Sequence, residues 1–230
     1  MNQEPRIRYT RVRKVHDLVR ANNGDAGLDF FFPEDLTLRE LRDKQSMDSQ
    51  YGLCFILEGD LMFILGETKV QTKQGYRPFT EDILDKRVIS IDIKPCQRVL
   101  IPSGVKVLLE PKDSMLMAAN KSGIATKQGL IYGAEIVDSP YTGEVHISLI
   151  NTSKTSVTIE AGKKLVQFIH VPIYLSEPEE IPNSLYDKVA ENWGTRGSKA
   201  FGSSDEQTRE DYQLSLDLDD ELAIRDAQFT

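Results

Sequence analysis

The sequence predicts an all-β fold, either a barrel or a jelly roll. Its apolar residues recur mostly at short range, in runs that are rich in β-branched residues and bounded by Pro, Gly or Asn. The runs that carry this pattern are Arg98–Ile101, Gly104–Leu109, Val145–Leu149 and Lys164–Ile169. Turn signals separate them at Pro102–Gly104 and Asn151–Thr155. Many short strands at close spacing favour these two architectures.

Composition places the chain among ordinary soluble globular proteins. It has 230 residues, of which 40% are hydrophobic and 28% are charged, enough for one large domain or two small ones. The longest apolar stretches, Leu53–Leu57 and Leu61–Leu65, are too short to span a bilayer. No charged-then-apolar leader opens the chain, so we expect no membrane partner and a cytoplasmic location. Cys54 and Cys96 form no metal pattern and are read as reduced thiols.

The net charge of −8 is concentrated at the C-terminal end. Residues 205–230 hold nine acidic side chains against two arginines, a net of −7, which leaves −1 for residues 1–204. We therefore expect no direct binding of nucleic acid through bulk positive charge. If the protein handles phosphates, a few well-placed cations must do so. The acidic end also loses strand periodicity, which predicts a mobile tail.

The segment 34–87 differs from its surroundings and reads as an insertion. A helical pattern covers Pro33–Asp48, the best such stretch in the chain. An apolar hairpin is predicted over Leu53–Leu65, with Glu58–Asp60 as its turn. A polar run, Glu67–Arg77, follows.

Four further stretches carry residues suited to chemistry: Gly24–Asp29, Asn120–Ala125, Val137–Glu144 and Arg196–Ser204. Each alone has an ordinary explanation. The first reads as a turn into a strand, the second as a helix-capping turn, the third as a turn-forming aspartate and the fourth as a Gly/Ser linker.

The same stretches could instead bind and attack a polyphosphate. Ser122, followed by glycine, can cap a short helix whose free amides face an anion, with Lys121 adding charge. Asp138 stands where an apolar run meets a turn, and a rigidly held, partly desolvated carboxylate there suits a general base. In the last stretch, Arg196 could grip a polyphosphate and Phe201 could stack on a base.

Together with Ala161–Gln167, these four stretches resemble, in order, the five motifs of the trimeric deoxyuridine triphosphatase (dUTPase) family. The matching segments are Asp25–Asp29, Lys121–Ala125, Gly133–Glu144, Ala161–Gln167 and Arg196–Ser204. The resemblance covers Ala21–Pro33 and Ile91–Ser204, and it leaves out the middle insertion and the tail. Five motifs in the family's order are far more specific than any one of them.

The resemblance implies a jelly-roll β-barrel that assembles as a homotrimer, each active site drawing on all three chains. The barrel would comprise residues 1–33 and 88–192, and residues 34–87 would be inserted into it. Residues 193–204 would form a glycine-rich phosphate-binding lid, and residues 205–230 an acidic tail. A phage or viral member with a large insertion fits this layout, which would place the protein in the host cytoplasm.

The implied activity is hydrolysis of dUTP to dUMP and pyrophosphate, which keeps uracil out of DNA and supplies dUMP for thymidylate synthesis. Asp138 would deprotonate the water that attacks the α-phosphorus. Mg²⁺ would be coordinated mainly through substrate phosphates and water, with Asp29 as an outer-shell group.

The resemblance also implies a set of substrate-binding residues. They are Lys121, Ser122, Gly123, Glu135, Ile136, Val137, Tyr141, Gln167, Arg196, Phe201 and Gly202. Tyr141 would pack under the deoxyribose and exclude a 2′-hydroxyl. Arg196 would hold the γ-phosphate as the lid closes, and Phe201 would cover the uracil.

Three positions depart from the family pattern. Lys121 stands where the family usually has Arg, which keeps the charge and loses the planar fork. Pro140 replaces a common Asp and stiffens the turn before Tyr141. Glu135 falls where a Gly often lines the base-reading hairpin, so base preference could differ from strict uracil specificity.

Two alternatives concern the substrate. A sibling family of the same fold deaminates dCTP with a glutamate at the position where we place Ser148, so deamination is not expected. The chain could instead be a same-fold nucleotide binder, or a hydrolase of a modified deoxypyrimidine triphosphate.

Two alternatives concern partners. The insertion 34–87 could bind a host protein, or it could pack on the barrel and widen the trimer contact. The tail peptide resembles the short segment by which bacterial replication proteins dock on the sliding clamp. Its docking residues would be Gln213, Leu214, Leu216 and Leu218. A plain acidic, solubilising tail explains the same sequence.

Overall fold

The computed structural model describes residues 4–45 and 52–193. The chain divides into two units, Met1–Leu175 and Ser176–Thr230, which are considered separately. The strands are β1 (Arg6–Arg11), β2 (Leu28–Phe31), β3 (Cys54–Leu57), β4 (Leu61–Ile64), β5 (Lys69–Thr72), β6 (Gly75–Pro78), β7 (Val88–Ile93), β8 (Arg98–Glu110), β9 (Ser114–Ala119), β10 (Leu130–Tyr132), β11 (Ile136–Asp138), β12 (Glu144–Asn151), β13 (Val157–Glu160) and β14 (Lys164–Pro172). The helices are α1 (Leu38–Arg42), α2 (Glu81–Leu84), α3 (Ser122–Gln128) and α4 (Asn183–Ala190).

The strands of the first unit form three antiparallel sheets. One has the order β1-β8-β12-β10, the second β11-β9-β14-β2, and the third, six-stranded sheet β13-β7-β3-β4-β5-β6. Alternating burial along the strands, as in β12 and β9, shows that the sheets cover a shared apolar interior. The prediction of an all-β fold is therefore confirmed.

Aromatic side chains mark the centre of this interior. Phe30 from β2 and Phe168 from β14 are both fully buried, and their ring centroids lie 4.6 Å apart. Tyr132 from β10 meets Phe168 edge-on at 5.6 Å. Burying a side chain of this size contributes about 1.5–3 kcal/mol, so this contact anchors the second sheet against the first.

The predicted turn at Pro102–Gly104 is wrong. These residues lie inside β8, which runs without interruption for 13 residues. Gly104 takes a φ of +76°, and the register of β12 against β8 shifts between Glu144 and His146, so the strand bends instead of reversing. Because β1 and β12 pair with β8 on its two sides, the ladder continues through a local turn signal.

The insertion extends a sheet rather than forming a separate body. The hairpin predicted over Leu53–Leu65 is confirmed as β3 and β4, and β3 also pairs with β7. The predicted helix Pro33–Asp48 is much shorter among the described residues, where it covers Leu38–Arg42. A capping box between Thr37 and Glu40 starts it and stops helical growth toward Pro33.

The second unit contributes one described helix, α4, which begins after Pro182. None of the helices in residues 4–45 and 52–193 combines the length and apolar character that a bilayer crossing requires.

Candidate functional site

The sheet β11-β9-β14-β2 brings together residues that are distant in the sequence. Asp29 on β2 lies opposite Gln167 on β14, and Gln167 lies opposite Ala119 at the end of β9. The chain then passes directly into Lys121 and helix α3. Three of the predicted segments thus meet at one end of one sheet.

Asp29 is the electrostatic centre of this end. It is 1% exposed, and its Oδ1 lies 2.5 Å from Lys121 Nζ while its Oδ2 lies 2.6 Å from Lys164 Nζ. Burial raises the pKa of Asp29, but hydrogen bonds and charge from the two lysines outweigh it and hold the pKa below its ordinary value. The cluster carries one negative and two positive charges, which suits an anion.

Both carboxylate oxygens of Asp29 face lysine ammonium groups. A hydrated cation would have to displace a lysine to reach either oxygen, so the geometry gives no support to the predicted outer-shell role of Asp29. Within residues 4–45 and 52–193, no group of three or more His, Cys, Asp or Glu side chains is placed to hold a metal ion.

Gln167 is packed tightly against the first segment. A Cβ added to Gly27 would lie 2.7 Å from Gln167 Oε1 and 2.8 Å from Gln167 Cβ. The Nε2 of Gln167 donates to the backbone carbonyl of Asn120 at 3.3 Å. The glutamine therefore bridges the strand that carries Asp29 and the loop that carries Lys121.

Helix α3 opens at the edge of this cluster. Lys121 is its N-cap residue, and Ser122 is its first helical residue rather than the cap that the sequence suggested. The amides of Ile124 and Ala125 both donate to the carbonyl of Lys121. Ser122 and Gly123 are exposed in the first turn, where backbone amides have no acceptor within the helix.

Asp138 ends β11, as the sequence predicted, but its side chain is exposed. The expected partial desolvation of this carboxylate is therefore wrong for the single chain, because β11 is a three-residue strand at the edge of its sheet. The amide of Tyr141 donates to the carbonyl of Asp138 at 3.0 Å and closes the turn. The Tyr141 hydroxyl donates to the carbonyl of Glu144 at 2.8 Å.

The single chain separates Asp138 from the lysine cluster. Asp138 lies opposite Met115 on β9, whereas Gln167 lies opposite Ala119. Four residues of strand amount to about 13 Å along β9. The structure thus brings Asp29, Lys121 and Gln167 together and leaves Asp138 and Tyr141 at the other end of the same strand.

The remaining hairpin residues are accessible. Glu135 is exposed, and its backbone carbonyl accepts a hydrogen bond from Ala118 at 2.7 Å. Ile136 is 50% exposed and Val137 is half-buried. Seven predicted residues lie outside the described residues: Arg196, Phe201, Gly202, Gln213, Leu214, Leu216 and Leu218.

The sequence pattern points to Lys121 but not to Lys164 as a site residue. The available signal was a lysine in an otherwise apolar strand that also holds Gln167, but its partner Asp29 is 135 positions away. Asn120 was likewise not singled out, although its carbonyl and its side chain join Gln167 and the amide of Tyr132.

Comparison with known proteins gives the following similarities. The family model described as dUTPase matches residues 86–204. A protein of Clostridium novyi named deoxyuridine 5′-triphosphate nucleotidohydrolase is 34% identical over 119 residues, covering 51% of this chain and 78% of that one. The protein of the same name from Acinetobacter baylyi is 31% identical over 113 residues, covering 48% and 75%.

Solved structures agree on the fold. A mutant dUTPase of Staphylococcus bacteriophage 80alpha with dUpNHpp superposes with a TM-score of 0.55 at 17% sequence identity, covering 86% of this chain and 98% of that one. A second structure of the 80alpha dUTPase with the same compound gives 0.54 at 17%, covering 86% and 97%. The predicted dUTPase-like jelly-roll fold is thereby confirmed.

Proposed function

Because the chain belongs to the dUTPase family, we propose that it hydrolyses dUTP to dUMP and pyrophosphate. The observation that carries the proposal is the cationic end of the β9–β14–β2 sheet, where Lys121 and Lys164 share one buried carboxylate beside Gln167. This activity would remove dUTP before uracil enters DNA, and would supply dUMP. A cytoplasmic location fits that role.

The lysine cluster is suited to the triphosphate. Lys121 can turn from Asp29 toward a phosphate while Lys164 continues to neutralise that carboxylate, so the buried charge is never left unpaired. The exposed amides of Ser122 and Gly123 can donate to phosphate oxygens, and Gln167 lies beside them.

Asp138 is the proposed general base. Its exposed carboxylate can accept a proton from a water aligned with the α-phosphorus, so that the water attacks and pyrophosphate leaves. Tyr141 would pack against the deoxyribose, and Glu135, Ile136 and Val137 would face the base. Arg196, Phe201 and Gly202 would close over the bound nucleotide as a lid.

The separation along β9 favours a site shared between chains, as the proposed homotrimer would provide. A triphosphate bound at Lys121 of one chain would have to extend along about 13 Å of strand to bring its α-phosphorus to Asp138 of the same chain. A neighbouring chain that presents its own Asp138–Tyr141 turn to this lysine cluster would complete the site.

Mg²⁺ fits this arrangement as a companion of the substrate. The described residues offer the ion no carboxylate cluster, and Asp29 is engaged by two lysines. The ion would therefore be held by phosphate oxygens and water, where it neutralises charge on the leaving pyrophosphate.

The decisive experiment measures pyrophosphate release from each deoxynucleoside triphosphate in the presence of Mg²⁺. We expect the wild type to prefer dUTP and the Asp138→Asn variant to lose about 10²–10⁴-fold in kcat. Asp113→Asn is the matched control, because Asp113 is also an exposed aspartate next to β9. Equal rates for wild type and Asp138→Asn would overturn the mechanism, and no release from dUTP would overturn the function.

A second candidate substrate is a modified deoxypyrimidine triphosphate. The observation in its favour is Glu135, whose exposed carboxylate stands in the hairpin assigned to the base. Replacing it with glycine should move the preference toward dUTP if the carboxylate reads a modified base. An unchanged preference would show that the Glu135 carboxylate does not read the base.

Besides hydrolysis, we propose two sites for partner proteins, one in the insertion and one in the tail. The insertion, residues 34–87, is part of a sheet whose outer strand β6 is exposed along its length, which would leave it accessible to a host protein. Deleting β4–β6 should then abolish capture of that protein.

A synthetic peptide of residues 213–218 tests docking on a bacterial sliding clamp, with Gln213→Ala and Leu216→Ala as paired controls.

A further inference from the structure

The guanidinium group of Arg13 lies between two carboxylates from distant parts of the chain. Its Nε donates to Glu144 Oε1 at 2.7 Å and its Nη2 to Glu144 Oε2 at 3.2 Å. Its Nη1 donates to Glu40 Oε1 at 2.6 Å. The side chains of Arg13 and Glu144 are 17% and 15% exposed, so solvent screens this pair only weakly. The proposed reaction uses none of these three residues.

One end of this ion network belongs to the insertion. Glu40 lies in helix α1, and its second carboxylate oxygen accepts hydrogen bonds from the amide and the hydroxyl of Thr37, both at 3.0 Å. The same glutamate thus closes the capping box and holds Arg13. A shift of the first turn of α1 must therefore move the carboxylate that Arg13 contacts.

The other end belongs to the turn that carries Tyr141. The Glu144 carboxylate also accepts the Gly104 amide at 2.7 Å, at the bend of β8. The backbone carbonyl of Glu144 accepts the Tyr141 hydroxyl at 2.8 Å. Arg13 and the Gly104 amide together hold the Glu144 side chain and therefore restrict the position of its backbone carbonyl. Because the Tyr141 hydroxyl donates to that carbonyl, the tilt of the tyrosine ring is restricted as well.

Arg13 itself is held by its neighbours. The amide of Val12 donates to the carbonyl of Gly104 at 2.8 Å, and the amide of Lys14 donates to Asp35 Oδ2 at 2.8 Å. The backbone around Arg13 therefore spans the bend of β8 and the start of the insertion. A long side chain anchored in this way can transmit a displacement instead of absorbing it.

We infer that Arg13 and Glu144 are positioning residues for Tyr141, and that helix α1 of the insertion controls sugar discrimination through Glu40. The inference rests on the proposed function, in which Tyr141 packs against the deoxyribose. It assigns the insertion a part in substrate selection besides any binding of a partner.

The chemistry of the ion network formed by Arg13, Glu40 and Glu144 sets the order in which substitutions should affect the Tyr141 turn. Removing the guanidinium leaves two carboxylates facing each other without a cation, so Arg13→Met should disturb the turn most. Arg13→Lys keeps the charge and loses the fork, so it should restore part of the effect. Glu40→Gln keeps the bidentate Arg13–Glu144 pair, removes the charge of Glu40 and leaves a single acceptor oxygen for Arg13 and the Thr37 cap together, so it weakens the link to α1.

The test compares kcat/KM for dUTP with kcat/KM for UTP. We expect the dUTP:UTP ratio to fall about tenfold in Arg13→Met and about threefold in Glu40→Gln, with Arg13→Lys between wild type and Arg13→Met. Arg39→Met is the matched control, because Arg39 lies on the same helix and pairs with Asp85 at 3.0 Å. That variant should leave the ratio unchanged.

A second measurement does not depend on catalysis. Hydrogen exchange at the Tyr141 amide, which donates to the Asp138 carbonyl, should accelerate in Glu40→Gln and not in Arg39→Met. Unchanged exchange and an unchanged ratio in folded Glu40→Gln would overturn the inference, whatever happens to Arg13→Met. A wild type that releases no pyrophosphate would refute the proposed function instead, and the exchange data would still decide whether α1 and Tyr141 are linked.

Discussion

The two ends of strand β9 are built in opposite ways. At one end, Asp29 is buried beneath Lys121 and Lys164, and Gln167 is packed against the backbone of Gly27. At the other end, Asp138 is exposed on a three-residue strand at a sheet edge. The anion-binding end is assembled within each chain, whereas the end with the proposed base is open and needs a neighbour. Removing the Asp29 carboxylate should therefore act mainly on stability, whereas removing the Asp138 carboxylate should act mainly on activity.

The largest expected effect on stability comes from Asp29→Asn. The substitution leaves two lysines around a neutral side chain, and removing one partner of a buried pair costs about 3–5 kcal/mol. We expect the lower limit, about 3 kcal/mol, because Lys164 is 40% exposed and can turn toward solvent. Urea unfolding at neutral pH measures it. A decrease in unfolding free energy of less than about 1 kcal/mol would show that Asp29 interacts only weakly with the two lysines.

The buried Asp29 carboxylate should also make the free energy of unfolding depend on pH. The folded pKa of Asp29 lies below its ordinary value of 3.8, so the ionised carboxylate stabilises the fold above that value. This contribution disappears as the pH falls through the folded pKa. The difference in unfolding free energy between wild type and Asp29→Asn should therefore be constant from pH 7 to about 5 and shrink at lower pH. Asp138→Asn serves as the reference variant, and a difference that grows in acid would contradict the assignment.

A smaller effect is expected from Gly27→Ala. Its new methyl group would lie 2.8 Å from Gln167 Cβ, an atom that cannot move without its strand, and such overpacking costs about 1–3 kcal/mol. Gly123→Ala is the matched control, because no neighbouring atom lies within 4 Å of its added Cβ. Because Gly123 lies in the first turn of α3, that substitution should stabilise the fold by no more than about 0.5 kcal/mol. Thermal unfolding of both variants checks the pair, and equal shifts would argue against close packing at Gln167.

Local sequence patterns predicted the elements whose determinants are local. The hairpin β3–β4, strands β12 and β14 and the position of helix α3 were all anticipated, since alternation and turn residues specify them. The unbroken course of β8 was not, because pairing with β1 and β12 overrides the Pro102–Gly104 turn signal. The long helix predicted from Pro33 failed for the opposite reason, since the Thr37 cap is a local signal that the apolar pattern concealed.

In the candidate site, too, local sequence signals were predictive and long-range pairing was not. The order of motifs pointed to Lys121, Gln167 and Asp138 without any coordinates. It could not show that Lys164 shares Asp29 with Lys121, because strand register decides which side chains meet across a sheet. Nor could it show that Asp138 is exposed, because exposure depends on how few residues β11 contributes to the sheet edge.

The smallest expected effect on stability comes from Asp138→Asn, although its effect on activity should be large. Among the described residues no side chain pairs with this exposed carboxylate, so the unfolding free energy should change by less than about 0.5 kcal/mol. Parallel urea unfolding and size-exclusion chromatography would check that fold and assembly are intact. A loss of more than about 1 kcal/mol would show that the carboxylate is part of a structural network, most directly one formed between chains. Unchanged stability with lost turnover would instead show that Asp138, unlike Asp29, contributes to catalysis and not to the stability of the fold.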